Sequence, residues 1–419
     1  MSPLRVELVS EHASPLAAVG EADAGGQNVH VAALATHLAA LGCEVTVATR
    51  ADDAGLPERL ELEPGVTVHH VPAGPARPVP KDELWQHMPG FVRHLHRRWR
   101  VDPPDLVHAH FWMSGWAALR ARHGVATPLP VVQTFHALGV VKRRHQGTAD
   151  TSPPVRPDVE SHLVRAADHV IATCTDEVAE LTALGGRPED MSVVPCGIDP
   201  KLFRPGGPAA PRSLSSGLRH RIVVVSRLVP RKGIDDVIAA LSHLPDTELL
   251  VAGGPAAAAL DHDAEACRLA RLARSFGVAD RVRFLGAVPR QDVPALLRSA
   301  DLVACVPWYE PFGIVPLEAM ACGVPVVGSA VGGLLDSVDD HRTGELVPPH
   351  DPQAIAHAAA HLLANPSLRA RMGEEAAARV RQHFTWPQVA QSTLEIYRRF
   401  VSQERSAAAG PGHDWAVSA

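Results

Sequence analysis

Two carboxylates, Glu310 and Glu318, stand eight residues apart in Trp308-Tyr-Glu-Pro-Phe-Gly-Ile-Val-Pro-Leu-Glu-Ala-Met-Ala-Cys-Gly-Val-Pro325. A hydrolytic acid and nucleophile would need carboxyl groups roughly 5 to 9.5 Å apart across one bond, whereas eight helical residues span about 12 Å. The spacing therefore favours two carboxylates that grip opposite ends of one long ligand through its hydroxyls. Upstream, Arg227-Leu-Val-Pro-Arg-Lys-Gly233 carries two cations five positions apart. Arg227 offers a planar fork and Lys232 a mobile point charge, a combination suited to a diphosphate whose charge grows as one of its bonds breaks. Gly25 and Gly26, within Asp23-Ala-Gly-Gly-Gln-Asn28, let backbone amides at a helix N-terminus approach an anion closely. His110, His136 and Thr175 fall at strand ends; of the 24 histidines in the chain, His136 is the strongest candidate and His108 reads as structural.

These groups need elements that hold them along one edge. Ala300–Pro307 and Pro325–Gly328 read as buried parallel strands, and the crossover between them as a loop followed by a helix. Pro316 suits the first turn of that helix and Gly323 its stop. Glu310 then lies in the entry loop and Glu318 in the first turns, at the carboxyl edge where open α/β sheets bind ligands. The first half alternates strands and helices: a strand ending near Ser10, a helix over Val29–Leu41 stopped by Gly42, and strands at Glu44–Thr49, Thr67–Val71, Leu106–Ala109, Val131–Phe135, His169–Thr173 and Ser192–Pro195. The opening βαβ unit lacks G-x-G-x-x-G, so no nicotinamide site is read there. Residues 1–205 form a first domain and 206–217, rich in Gly, Pro and Ser, a linker. Residues 218–385 form a second doubly wound domain, with strands at Ile222–Ser226, Glu248–Ala252 and Arg281–Leu285 and helices over Ile234–Leu244, Pro352–Ala364 and Ser367–Phe384. Trp386–Val401 reads as a last helix and 402–419 as a disordered tail.

A chain of 419 residues exceeds one ordinary core, and 46% hydrophobic content permits two full ones. A net charge of -6 argues against bulk electrostatic binding of nucleic acid or anionic lipid. No 18-residue apolar run occurs, and Leu4–Val9 is too short and charged for a secretory core. The six cysteines have neither metal nor redox spacing, which fits a reducing, cytoplasmic compartment.

The Glu310–Val327 stretch closely resembles the donor-site signature of retaining glycosyltransferases of family four, and with Arg227 and Lys232 the resemblance extends over roughly residues 4 to 400. It implies the GT-B architecture, two Rossmann-like domains facing across a cleft, with the Trp386–Val401 helix crossing back to the first domain. It implies a nucleotide-diphosphate-sugar donor, a UDP-sugar ahead of GDP-mannose, and a small hydroxylated acceptor. On the donor side Glu318 would take the ribose hydroxyls, and Glu310, Phe312, Gly313 and His136 the sugar. Arg227, Lys232 and the amide of Gly26 would meet the diphosphate. The acceptor side would use His12, in His12-Ala-Ser-Pro-Leu16, together with Asp23, Asn28, Lys81 and Arg156. Phe111 and Ala137 replace a tyrosine and a threonine of the mycothiol-pathway members, so two hydroxyls expected on an acceptor phosphate are missing, at about 1.5 to 3 kcal/mol each. No cofactor is implied and no metal ligand is named: Mg2+ would be an accessory without a catalytic role, and Asp52-Asp53 and Asp339-Asp340 are not metal motifs. A monomer and a homodimer both fit, as does peripheral membrane contact through Arg93–Arg100, and an epimerase of the same architecture is the competing class.

Overall fold

The protein is described here by a computed structural model that covers residues 3–16, 26–212 and 217–408. Fourteen strands build two sheets among these residues. The first sheet takes β1 (Arg5–Val9), β2 (Glu44–Arg50), β3 (Arg59–Glu63), β4 (Val66–Val71), β5 (Leu106–His110), β6 (Val131–Thr134), β7 (His169–Ala172) and β8 (Met191–Val193) in the order β3-β4-β2-β1-β5-β6-β7-β8. The second takes β9 (His220–Val225), β10 (Thr247–Ala252), β11 (Val282–Gly286), β12 (Leu302–Cys305), β13 (Val326–Ser329) and β14 (Gly344–Val347) in the order β11-β10-β9-β12-β13-β14. All pairings are parallel except β3 with β4. The apolar runs Ile222–Val225 of β9 and Leu302–Cys305 of β12 follow from burial on both faces of a parallel sheet. Both units are doubly wound and Rossmann-like, as the strand pattern implies.

Several boundaries move from the sequence reading. Among the described residues the first helix spans Gly26–Ala40 rather than Val29–Leu41. β3 and β14 are additions: β3 is an exposed antiparallel edge strand and β14 is only four residues long. The expected linker is pinned to the second domain, with Ala210 N donating to Ala295 O and the Arg212 guanidinium to Ser299 O. The last helix runs Trp386–Ala408, past the expected end at 401, and residues 409–419 of the expected tail lie outside the described residues.

That last helix leaves the second domain at Phe384, where Ile198 N donates to Phe384 O and Trp386 N to Ile198 O. Its residues Trp386, Val389, Ala390, Leu394, Ile396 and Tyr397 then share a buried cluster with Val6, Leu8, Val31, Leu34 and Leu38 of the first domain. The Tyr397 hydroxyl lies 2.6 Å from Nδ1 of His108, and Nε2 of the same ring lies 2.9 Å from Thr134 Oγ1. Thr134 Oγ1 spends its hydrogen on Ile171 O, so His108 Nε2 is the donor to it and Nδ1 accepts from Tyr397. His108 is thus a satisfied structural histidine.

Candidate functional site

The loop from Trp308 into the helix Ile314–Ala321 is the nucleus of the site. Gly313 enters the helix at φ 69°, a left-handed conformation that a β-carbon disfavours, and Gly323 leaves it at φ 77°. Glu310 is held in the entry loop and Glu318 within the helix, both buried. Lys232, at the end of the loop after β9, forms an ion pair with Glu310 Oε2. Burial alone would raise the Glu310 carboxyl, but Lys232, Arg231 and Arg227 overcome it and hold the group below the ordinary carboxylate range. Glu318 behaves oppositely: burial pushes its carboxyl up, and only Arg290 opposes the shift. Arg290 Nη1 lies 2.7 Å from Glu318 Oε1 in a loop after β11, an ion pair whose angle falls short of a hydrogen bond. One carboxyl is therefore shifted down by its cations and the other up by its burial, so the two are electrostatically distinct.

The first domain supplies the opposite wall. Phe312 projects from the second domain into it, with its ring 5.1 Å from His136 and 6.3 Å from His30. A β-carbon on Gly26 would stand 3.4 Å from Ile314 Cδ1 and 3.5 Å from Phe312 Cδ2, in ordinary contact, so this part of the helix lies against the Glu310–Glu318 loop. His136, at the end of β6, faces Phe312, and its Nε2 lies 2.9 Å from His110 Nδ1. Thr175, singled out as a strand-end ligand contact, instead binds across the cleft: its backbone N and Oγ1 each donate to the Asp336 carboxylate at 2.6 Å. Thr173 Oγ1 lies 3.1 Å from Pro311 O, and Gln146 Nε2 donates to the Tyr309 hydroxyl at 2.7 Å. Between the walls lies a cavity of about 280 Å³ bordered by Ala137, Cys174, Tyr309, Glu310 and Gly332.

The acceptor-side residues assemble around Phe111. Lys81 Nζ lies 5.5 Å and the Arg156 guanidinium 5.0 Å from its ring centroid, and the His12 ring packs edge-on at 4.8 Å. His12 Nδ1 is 2.7 Å from Glu11 Oε1. Arg156 is fully buried, donating to Glu160, Ser152 and the carbonyl of Ala137. Asn28 Nδ2 donates to Ser14 O at 3.0 Å, and Asp23 lies outside the described residues.

Two basic stretches are held by their surroundings in different ways. In Lys142–His145, Lys142 pairs with Asp150 at 2.9 Å, Arg144 with Glu180 at 2.5 Å, and His145 stacks on Tyr309. The apolar face of Met88–Val101 packs into the core through Met88, Phe91, Leu95 and Trp99, so the Arg93–Arg100 segment offers no apolar face to a membrane. No helix among the described residues is long and apolar enough to cross one.

Comparison with known proteins places this geometry. A model described as glycosyltransferase family 4 matches residues 24–202, and one described as glycosyl transferases group 1 matches residues 212–379. The D-inositol 3-phosphate glycosyltransferase of Kribbella flavida is 40% identical over 411 residues, covering 94% of this chain and 95% of that one. The chain belongs to glycosyltransferase family 4. Another relative of this glycosyltransferase, the D-inositol 3-phosphate glycosyltransferase of Mycobacterium bovis, is 39% identical over 411 residues, covering 96% of this chain and 84% of that one. Among solved structures, sucrose-phosphate synthase from Thermosynechococcus elongatus superposes with a TM-score of 0.85 at 33% identity, covering 96% of this chain and all of that one. Anabaena HepE in complex with UDP-glucose shares the fold, with a TM-score of 0.68 at 21% identity over 96% of this chain and 99% of that one.

Sequence reasoning about this family 4 glycosyltransferase missed two cations. Arg231 stacks 5.1 Å over the Tyr309 ring and leaves a buried Nη1 without a hydrogen-bond partner among the described residues. Its signal was its place between Arg227 and Lys232. Arg290 gave only a strand-end position, and nothing local links it to Glu318. Two other groupings hold metal-ligand atoms within 4.8 Å of one another: Glu58, His69 and His94, and Asp340, His341 and Glu345. In the first, His69 Nδ1 must accept from Arg98 Nη1 at 2.7 Å. Its Nε2 then keeps the proton and donates to His94 Nε2 at 3.2 Å, which satisfies the pair without an ion.

Proposed function

We propose that this glycosyltransferase moves a hexosyl unit, with retention of configuration, from a nucleotide-diphosphate sugar to a small hydroxylated acceptor, with or without a phosphate. A UDP-sugar is favoured over GDP-mannose. The observation that carries this reading is the division of labour between the two carboxylates: Glu310 charged beside Lys232, Arg231 and Arg227, and Glu318 buried beside Arg290. Glu318 would accept the ribose hydroxyls and Glu310 the sugar hydroxyls, with Phe312 and Gly313 shaping that end. Arg227, Lys232 and the Gly26 amide would take up the charge that develops on the diphosphate.

Because Lys232 already engages Glu310, that carboxylate is better suited to orienting the sugar than to attacking it. The bond between C1 and the diphosphate oxygen breaks as the acceptor oxygen bonds C1 on the same face. The acceptor proton passes to the departing phosphate oxygen, so no protein nucleophile is consumed and the rate comes from positioning and electrostatics. No cofactor is needed, and Mg2+ would accompany the diphosphate without a catalytic part.

His12, Asn28, Lys81 and Arg156 would hold the acceptor, with Asp23 a further candidate. Relatives named as D-inositol 3-phosphate glycosyltransferases support a cyclic polyol, and Lys81 with Arg156 would meet an anionic group on it. Calorimetric titration with UDP-glucose, UDP-N-acetylglucosamine and GDP-mannose, repeated on Glu318→Ala, tests the donor: one ligand should bind and lose its affinity in the variant. Binding of none would sink the reading. Release of UDP with inositol, inositol 3-phosphate or fructose 6-phosphate present then sorts the acceptor, and release without any acceptor would favour the epimerase class.

A further inference from the structure

Beyond β1 the chain continues through Ser10, Glu11 and His12, and the middle residue is out of keeping with its surroundings. Glu11 is 1% exposed, and a carboxylate is taken that far from water only where hydrogen bonds replace the water it loses. Its backbone is fixed on both sides: N donates to Ser114 Oγ at 3.0 Å, and O accepts from Arg50 N at 3.1 Å. Ser114 Oγ donates in turn to Glu11 Oε2. The other oxygen, Oε1, lies 2.7 Å from His12 Nδ1, and no lysine or arginine among the described residues pairs with this carboxylate.

Proton counting gives one answer for this pair. An ionised carboxylate can only accept, and imidazole is ordinarily the stronger base by about two pH units, so the hydrogen between Oε1 and Nδ1 belongs to the ring. A neutral His12 then carries no hydrogen on Nε2. That nitrogen makes no hydrogen bond among the described residues, and it is open, unlike the sealed ring nitrogens of His110 and His136. The ring packs edge-on to Phe111 at 4.8 Å, and a charge on it opposes protonation of His136. It therefore borders both the Phe111 group and the wall that faces Phe312. Around Phe111, Lys81 and Arg156 can only donate. A polyol hydroxyl must also place its own hydrogen, and His12 Nε2 supplies the lone pair for it.

We infer that Glu11 is a positioning residue that holds His12 as its Nδ1–H tautomer, so that His12 Nε2 accepts a hydrogen bond from a hydroxyl of the acceptor other than the reacting one. This rests on the acceptor reading above. Glu11 touches no substrate; it acts by choosing which nitrogen of His12 is left bare.

The test is a long-range proton–nitrogen spectrum of 15N-histidine-labelled enzyme at about pH 8, above the ordinary histidine range, with His12→Gln to identify the His12 signals. UDP release from UDP-glucose and from UDP-N-acetylglucosamine accompanies it, with inositol, inositol 3-phosphate and fructose 6-phosphate each varied to give the acceptor KM. His12 should appear as Nδ1–H in the wild type and in Glu11→Gln, whose amide oxygen can still accept, but not in Glu11→Leu. The acceptor KM should rise about tenfold in Glu11→Leu, as for one lost hydrogen bond, and return toward the wild-type value in Glu11→Gln, while UDP affinity by calorimetry stays constant. A wild-type His12 protonated on Nε2 overturns the proposal even if Glu11→Leu does not fold. So does a Glu11→Leu enzyme with unchanged acceptor KM, or one whose KM rises with the tautomer intact. A wild type that turns over none of these acceptors takes down the acceptor reading itself, and the inference with it, whichever tautomer is seen.

Discussion

At the scale of single residues, the two carboxylates predict different responses. Lys232→Ala removes the charge beside Glu310 and the diphosphate together, so turnover should fall by about 10²- to 10³-fold with a smaller change in donor affinity; normal turnover would exclude charge stabilisation by Lys232. Arg290→Ala strips Glu318 of the cation that opposes its burial. The Glu318 carboxyl then rises further, so the rise of donor affinity with pH as the carboxylate forms should be displaced to higher pH in that variant than in the wild type. Donor titrations of each protein over a pH series would read the displacement. His30 gives a stability signature. Burial lowers it to about 4, so on acidification the unfolded chain takes up the proton first. Its contribution is complete above about pH 6.5 and drains as pH falls toward 4, by up to about 3 kcal/mol. Denaturant melts at about pH 7.5 and 5.5, one unit either side of the ordinary histidine value, would show the loss. The spacing of Glu310, Glu318, Arg227 and Lys232 was readable because Arg227 and Lys232 follow β9 and Glu310 follows β12, strands that the pattern identifies, and Glu318 sits in the crossover helix after β12. The Arg290–Glu318 pair was not, because it depends on β11 lying in the same sheet as the strands that flank Glu318.

At the scale of elements, legibility followed burial. Strands with continuous apolar runs announced themselves. β3 did not: its Arg59-Leu-Glu-Leu-Glu63 alternation presents no buried face, with Leu60 37% and Leu62 36% exposed, so only pairing with β4 makes it a strand. The loop entering the helix Ile234–Leu241 shows what the backbone must tolerate. Gly233 stands at φ 66°, and a β-carbon there would come within 2.1 Å of Val306 O. Gly233→Ala should cost at least about 1 to 3 kcal/mol and displace Lys232, which thermal melting and donor titration would report together. On the last helix, Tyr397→Phe leaves His108 Nδ1 buried without its donor, and a loss of about 1 to 3 kcal/mol is expected with donor affinity unchanged.

At the scale of the molecule, closure is held by few contacts. Asp336 caps the helix Thr175–Ala183 from the other domain through two hydrogen bonds, each contributing about 0.5 to 1.5 kcal/mol. Asp336→Ala should therefore shift the unliganded enzyme toward an open form, read as a larger radius of gyration in small-angle scattering that contracts when UDP is added; an unchanged radius would show that Phe312 packing and the Thr173–Pro311 and Gln146–Tyr309 contacts hold the cleft shut without it. No sequence pattern marks Asp336 as a partner of Thr175, because the contact exists only once two separately folded sheets meet.

The return of the helix Trp386–Ala408 to the first sheet has a consequence for how the protein is made. Val6, Leu8, Val31 and Leu34 find their partners Trp386, Leu394 and Tyr397 only after the whole second domain has left the ribosome. The first domain, though synthesised first, must wait with an open apolar face while its neighbour folds. A protein cut at residues 206–217 would therefore yield not two independent domains but two pieces, each exposing an apolar face that the other covers.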